Sequence, residues 1–353
     1  MSKSEGKKNK GKSRFWLIPV VLIFVILGWL GLRAYNAIFK SNVSTHGDKG
    51  YVYIPTGSSF DDVVSLMNSG GFIEDVASFR WVSEQMNYSN NVKPGRYRLH
   101  SGMSNRALVS KLRSGDQDPV RITIGLMRNV NELAGLVARK IEADSAAIAF
   151  LLNDRHYLEV RGYELEEAMS IFIPNTYELY WNTSAEEFMR RMFQERERFW
   201  DVERTGKAKK MGLNTREVMI LASIVEQETR KNDEKPTVAG VYLNRLRKGW
   251  KLEADPTLIY AMNDFTIRRV LNEHKKVDSP YNTYMYIGLP PGPICIPSIR
   301  SIDAVLENKQ HEYLFFCARA DFSGYHSFAK SYTEHMQNAR LFQRELDRRG
   351  IRS

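Results

Sequence analysis

Residues 15–32 run for eighteen positions without a charged side chain and are dominated by Leu, Ile, Val, Phe and Trp. A stretch of that length and polarity belongs in the hydrocarbon core of a bilayer. It is long for the core of a removed signal, and Arg33, Tyr35 and Lys40 follow it instead of a small-residue cleavage pattern. Residues 15–39 therefore read as an uncleaved transmembrane anchor. Lys3, Lys7, Lys8, Lys10, Lys12 and Arg14 precede it, against Glu5 alone. Basic flanks stay inside, so residues 1–14 are expected to form a cytoplasmic tail of a single-pass protein in the inner (cytoplasmic) membrane, with everything after about residue 40 extracytoplasmic.

That topology disfavours nucleic acids, nucleotides and cytosolic metabolites as substrates. The net charge of +10 over 353 residues looks like a nucleic-acid footprint, but half of it sits in the tail and the rest is a mild excess. With 43% apolar and 26% charged residues, the chain has enough apolar surface for two or three cores. Cys295 and Cys317 are too few for a disulfide framework, although one bridge is open to them. No Cys/His pair stands at metal-ligand spacing, so no structural zinc and no other cofactor are expected.

After a polar linker over residues 40–50, one pattern occurs three times: an alternating extended run, a Gly-containing turn and an amphipathic helix. The runs are residues 51–55, 97–100 and 120–124, with Gly57, Gly102 and Gly125 after them. A further helix over residues 76–86 makes residues 51–99 a compact α+β module of strand, two helices and strand, on physical grounds a binder of glycans or partners, or a spacer. Residues 144–200 read as mainly helical, with a turn fixed by Pro174, and residues 201–212 as a charged, exposed linker. Residues 119–353 form the second, larger region.

Asn214 or Thr215 can cap a helix reaching Arg230, supported by Glu217 in its first turn. Its segment Val218-Met-Ile-Leu-Ala-Ser-Ile-Val225 is apolar around nearly the whole circumference and should be buried. Glu226 and Glu228 follow, about 200° apart, so they cannot act as a close pair. Small Ala222 and Ser223 would leave an open notch beside Glu226, and partial desolvation there would favour its protonated form, as a general acid requires. The plainer alternative is a Glu226–Arg230 pair, with Glu228 anchoring a loop.

Leu221-Ala-Ser-Ile-Val-Glu226-Gln-Glu-Thr229, Val238-Ala-Gly-Val-Tyr-Leu-Asn244-Arg-Leu246, Asp255-Pro-Thr257, Tyr281-Asn-Thr-Tyr284, Gly288-Leu-Pro-Pro-Gly-Pro-Ile294 and His326-Ser-Phe328 follow one another in order. This series resembles the endolytic murein transglycosylases of the YceG-like family over roughly residues 50–345. The resemblance implies one membrane helix, a LysM-like module over residues 51–118 and a mixed α/β catalytic region with a buried catalytic helix. It also implies that Glu226 is the catalytic acid/base. Two positions depart from the family pattern: Asn175 in Pro174-Asn-Thr-Tyr177, and Met336 after His335.

The activity so implied is that of a lyase acting on polysaccharide in cell-wall biogenesis. One carboxyl protonates the oxygen joining N-acetylmuramic acid to N-acetylglucosamine, then deprotonates the sugar's own C6 hydroxyl to leave a 1,6-anhydro end. A hydrolytic muramidase would need a second carboxylate, for which Asp255 is available; before Pro256, that residue reads equally as a turn cap. The resemblance makes Tyr281, Asn282 and Thr283 substrate-contact candidates. Gln227, Asn244, Arg245 and His326 either orient acetamido groups or fill buried hydrogen bonds. Cys295 reads as a packed thiol. The partners implied are peptidoglycan strands and, by family analogy, cell-wall synthases. A non-catalytic scaffold that binds glycan and recruits synthases is the rival from outside enzymology.

Overall fold

The computed structural model describes residues 17–45, 50–267 and 269–350; the expected basic tail lies outside them. The chain divides into two compact units, one up to Pro119 with Tyr180–Asn182, the other Val120–Leu179 with Thr183 onward. Helices and two-stranded antiparallel sheets are mixed throughout.

In the first unit, helix α1 (Leu17–Phe39) is the one described helix long and apolar enough to cross a membrane, with a mean hydropathy of 2.0 over its span and none of it buried. Strand β1 (Tyr51–Ile54), helices α2 (Phe60–Ser69) and α3 (Val76–Gln85), strand β2 (Gly95–Arg98) and helix α4 (Asn105–Ser114) follow. β1 pairs antiparallel with β2, Tyr51 opposite Arg98. Ser59, Asp75 and Ser104 cap the three short helices by accepting a backbone N–H, which satisfies donors that a helix start otherwise leaves unpaired. Ile54, Met67, Phe79, Tyr97, Leu108 and Leu112 close the core.

The expected linker is not free at its start. Asn42 and Val43 are 4% and 1% exposed. The Asn42 amide donates to Asn105 Oδ1 at 2.8 Å and to the Asp75 carbonyl at 2.9 Å, so this polar stretch is held by one buried asparagine that bridges two helix starts.

In the second unit, strand β3 (Val120–Ile124) leads into α5 (Val130–Ala138), α6 (Ser145–Asn153), α7 (Arg155–Glu159) and a 3-10 helix, Leu165–Ile171. The expected turn at Pro174 is instead the entry to strand β4 (Asn175–Leu179), antiparallel to β3 with Ile124 opposite Asn175. Pro174 sits just before the ladder, where its missing N–H interrupts nothing. After α8 (Ala185–Phe199), the expected charged linker is helix α9 (Val202–Lys210). Asp201 caps it and Ala208, 1% exposed, docks it on the core, so a single small residue suffices where the sequence shows no apolar stripe.

Helix α10 (Thr215–Glu228) starts in a reciprocal cap between Asn214 and Glu217. Val218 to Val225 are all buried, and each large apolar side chain so placed contributes roughly 1.5–3 kcal/mol. Packed in the same core are α11 (Lys235–Arg247), α12 (Asp255–Met262) and α13 (Ile299–Leu306). Strands β5 (Phe315–Ala318) and β6 (His326–Ala329), then α14 (Tyr332–Arg348), complete the described chain.

Candidate active site

The two carboxylates at the end of α10 turn to different partners. Glu226 Oε2 accepts from the Ser298 N–H at 3.0 Å, the Ser301 hydroxyl at 2.6 Å and Lys235 Nζ at 3.1 Å, and also from the Ser298 hydroxyl. Its side chain is 15% exposed and that of Lys235 4%. Ser298 caps α13, so the carboxylate sits at a helix N-terminus, where negative charge is stabilised. Burial pushes the Glu226 carboxyl up, but the two serine hydroxyls, Lys235 and the Ser298 N–H outweigh it and hold the group below its ordinary value.

Three expectations about Glu226 change accordingly. Desolvation does not leave it raised, because burial comes with a cation and three further donors. Its partner is Lys235 rather than Arg230, which is exposed beyond the helix end. The notch beside it is filled by the chain itself: the Ile294 N–H donates to Ser223 Oγ at 3.0 Å, and Ser223 and Ala222 are fully buried. Small residues there admit a backbone, not a substrate.

Glu228, the last residue of α10, accepts from the Tyr242 hydroxyl at 2.6 Å and remains partly exposed. Burial and, secondarily, the charge of Asp255 push its carboxyl up to about 7, against the pull of the Tyr242 hydrogen bond and Arg245. A carboxyl at that value is part protonated and part ionised near neutrality, the state an acid that must later serve as a base requires. Asp255 is exposed at the start of α12 and accepts from the Tyr284 hydroxyl at 2.6 Å. Just before it, Glu253 has a left-handed backbone (φ 51), a conformation unfavourable for a non-glycine residue. It is held by its N–H to the Thr283 carbonyl at 3.1 Å and by Arg245 at 3.3 Å.

The other sequence candidates separate into two groups. Asn244 donates to the carbonyls of His311 and Tyr313. Arg245, 8% exposed, donates to those of Leu314 and Leu252. Asn282, fully buried, donates to the Lys275 and Val277 carbonyls and accepts from the Tyr284 N–H. Thr283, 2% exposed, accepts from the Ala254 N–H and meets Thr257 at 2.9 Å. These four are turned inward: they shape the loop that presents Tyr284 to Asp255 and hold the strands behind it.

Gln227, Asp255, Tyr281 and His326 keep part of their surface open. Gln227 donates to Cys295 Sγ at 3.4 Å. His326 shares Glu234 through both its N–H and its ring, the latter at 2.9 Å. Cys295 is a buried free thiol pushed up to about 12 by burial, and Cys317 is also free. Sequence reasoning missed Lys235, Tyr242, Tyr284, Ser298 and Ser301 as neighbours of the two carboxyls. Only the Glu–x–Glu spacing, which guarantees two environments, hinted that the choice between them needed partners from elsewhere in the chain.

An endolytic murein transglycosylase of Bacillus subtilis (strain 168) is 26% identical over 300 residues, covering 80% of this chain and 82% of that protein. One from Streptococcus pneumoniae (strain ATCC BAA-255 / R6) is 25% identical over 337 residues, covering 86% of this chain, which spans 61% of that longer relative. A crystal structure of a YceG-like protein from Listeria monocytogenes superposes with a TM-score of 0.54 at 25% identity, covering 83% of this chain and 99% of that one. Residues 52–341 match the YceG-like family, and the chain therefore belongs to that family.

Proposed function

We propose that the protein is a membrane-anchored endolytic transglycosylase that cleaves peptidoglycan glycan strands, with Glu228 rather than Glu226 as the acid/base. The observation that carries the reading is the contrast at the end of α10. Glu228, partly exposed, is pushed up to about 7 by burial and the charge of Asp255, while Lys235 and two serines hold Glu226 below its ordinary value. The printed names of the curated relatives supply the substrate class.

Protonated Glu228 gives its proton to the oxygen between N-acetylmuramic acid and N-acetylglucosamine as the C1–O bond breaks. The C6 hydroxyl of the same muramic acid then attacks C1, and its proton passes to the Glu228 carboxylate. The acid is restored, no water is consumed and a 1,6-anhydro end is left. Asp255, one-sided and anionic, stabilises positive charge developing at C1. Asn282 and Thr283 act by positioning Tyr284; Gln227, Tyr281 and His326 remain substrate-contact candidates.

Helix α1 supports a membrane anchor, and the basic residues before it support a cytoplasmic N-terminus with the enzyme outside. Residues 51–118 serve as a LysM-like glycan-binding module ahead of a catalytic region over residues 119–353. Cell-wall synthases are the partners that a tethered strand-cutting enzyme would meet.

Incubating the full-length protein with peptidoglycan and reading sugar termini by mass spectrometry tests this. Anhydro ends from wild type and from no Glu228→Gln protein support the assignment. Ordinary reducing ends would turn the reading to a hydrolase in which Asp255 positions water, and loss of product only on Glu226→Gln would restore that residue as the acid.

A further inference from the structure

The end of the apolar helix is built into the unit that follows it. The uncharged stretch closes at Leu32, yet α1 runs on to Phe39, ~10 Å further along its axis. Asn105 Nδ2 donates to the Ala37 carbonyl at 2.9 Å and to Ser78 Oγ at 2.9 Å, so one asparagine, 1% exposed, ties the last turn of α1 to the starts of α3 and α4. Ala37 and Ile38 pack against the same core as Phe79 and Leu108, and Ser41 pairs with Ser104 in an isolated bridge. The chain thus leaves α1 through buried contacts, and helix and module form one body.

The side chains at the exit mark the depth. Trp29 is exposed with the Arg33 guanidinium 4.5 Å from its ring centre, and exposed Tyr35 lies 5.0 Å from Phe39, ring to ring. Trp, Tyr and Arg at a helix end belong at the boundary between hydrocarbon and headgroups. The headgroup zone is ~5–8 Å thick on each side of the hydrocarbon core, so Phe39 stands near its outer edge. Arg106, the second residue of α4, holds its guanidinium 5.5 Å from the centre of the Phe39 ring. That places its charge within about one Debye length, ~8 Å, of headgroup phosphates.

The exposed side of α4 is basic. Arg106, Ser110 and Arg113 are all exposed and share one helix face, and α4 contains no acidic residue. Exposed Lys40 extends the charge back to the end of α1. Lys111 adds little, since Asp116 and Asp118 pair with it. On α3, Trp81 is exposed one turn after Ser78 and so lies towards the joint, while Glu84, a turn further on, keeps α3 from sharing the basic character. Cations held at this height beside an aromatic ring suit the phosphates of anionic lipid.

We propose that residues 51–118 lie against the bilayer through this face of α4, with Lys40, Arg106 and Arg113 on the phosphates of anionic phospholipids and the Asn105 joint fixing the height. The proposal rests on reading α1 as a membrane anchor. Its test puts the full-length protein into vesicles of phosphatidylcholine alone, or of phosphatidylcholine and phosphatidylglycerol in equal parts. A spin label is carried at Ser110→Cys in a Cys317→Ser background, and a trace of nickel-chelating lipid is added equally to both vesicles. Collisions of the label with the headgroup nickel should be more frequent in the phosphatidylglycerol vesicles. Lys40→Gln combined with Arg106→Gln should remove that increment, as should high salt, which screens the attraction. A Gly-Ser insertion between Lys40 and Ser41 should lower the collisions in both lipids, because the module is then no longer held by α1.

Collisions equal in the two lipids, or a difference that survives removal of both charges from a folded protein, would overturn the headgroup contact, and flotation of that protein with the vesicles would leave the anchor standing. Collisions unchanged by the insertion would overturn the role of the joint. Protein that floats with neither kind of vesicle would sink the anchor reading and the proposal with it.

Discussion

Two faces of one helix end meet the same problem, a carboxyl leaving an apolar core, and answer it in opposite ways. On the Glu226 face, α11 supplies Lys235 and the start of α13 supplies Ser298 and Ser301, so the charge is matched inside the protein. On the Glu228 face, one phenol from α11 is the hydrogen-bond partner, and the like-signed charge of Asp255 outweighs the pull of Arg245. The first arrangement ties three helices together. The second leaves a partly exposed carboxyl that burial pushes up to about 7. Desolvation alone does not make an acid; what accompanies the desolvation decides.

The largest effect that could break this contrast is on activity. Glu228→Gln keeps the Tyr242 hydrogen bond but has no proton to give, so turnover should fall by about 10²–10⁴-fold, the usual weight of a general acid/base. Thermal unfolding followed by circular dichroism should show Glu228→Gln at least as stable as wild type at neutral pH. A Glu228→Gln protein that still releases anhydro products at near the native rate would end the assignment.

Stability provides the next test. Lys235→Met removes the cation from a carboxylate whose side chain is only 15% exposed and should destabilise the fold by about 3 kcal/mol in chemical denaturation. Adding Glu226→Gln should recover much of that loss, because the charge left alone is then gone. Additive losses in the double variant would mean that the pair is not coupled. The sign with pH is fixed by direction: Glu226 is lowered on folding, so its contribution is present above its ordinary value near 4.5 and is lost as pH falls through the folded one.

Much of this was legible in the sequence, and what was not has a common cause. The strand–helix–helix–strand order of residues 51–99 followed from alternation and helical periodicity, both local signals. Strand β4 and helix α9 did not, because β4 is defined by β3 more than fifty residues earlier and α9 docks by Ala208 alone. The Glu–x–Glu spacing correctly separated the carboxyls, but the choice between them required Lys235, Tyr242, Asp255 and Ser298, whose arrival no periodicity announces. Asn244, Arg245, Asn282 and Thr283 show the same limit: a polar residue type says that it needs partners, and only the fold says whether those partners are the protein's own backbone.

The smallest expected effect is the most specific to the Glu228 face, a pair of opposite shifts in one pH profile. Donation needs protonated Glu228, so kcat/KM should fall as pH rises through about 7. The Tyr242 hydroxyl holds that carboxyl down, and the Asp255 charge pushes it up. Tyr242→Phe should therefore move the falling limb to higher pH, and Asp255→Asn should move it to lower pH. The same linkage acts on stability: a carboxyl raised on folding contributes fully below its ordinary value near 4.5, and that contribution is lost as pH rises through about 7. Denaturant titrations across that window should show the loss in wild type and not in Glu228→Gln. Limbs that move together in the two variants, or that stay fixed in both, would mean that the titrating group in the reaction is not Glu228.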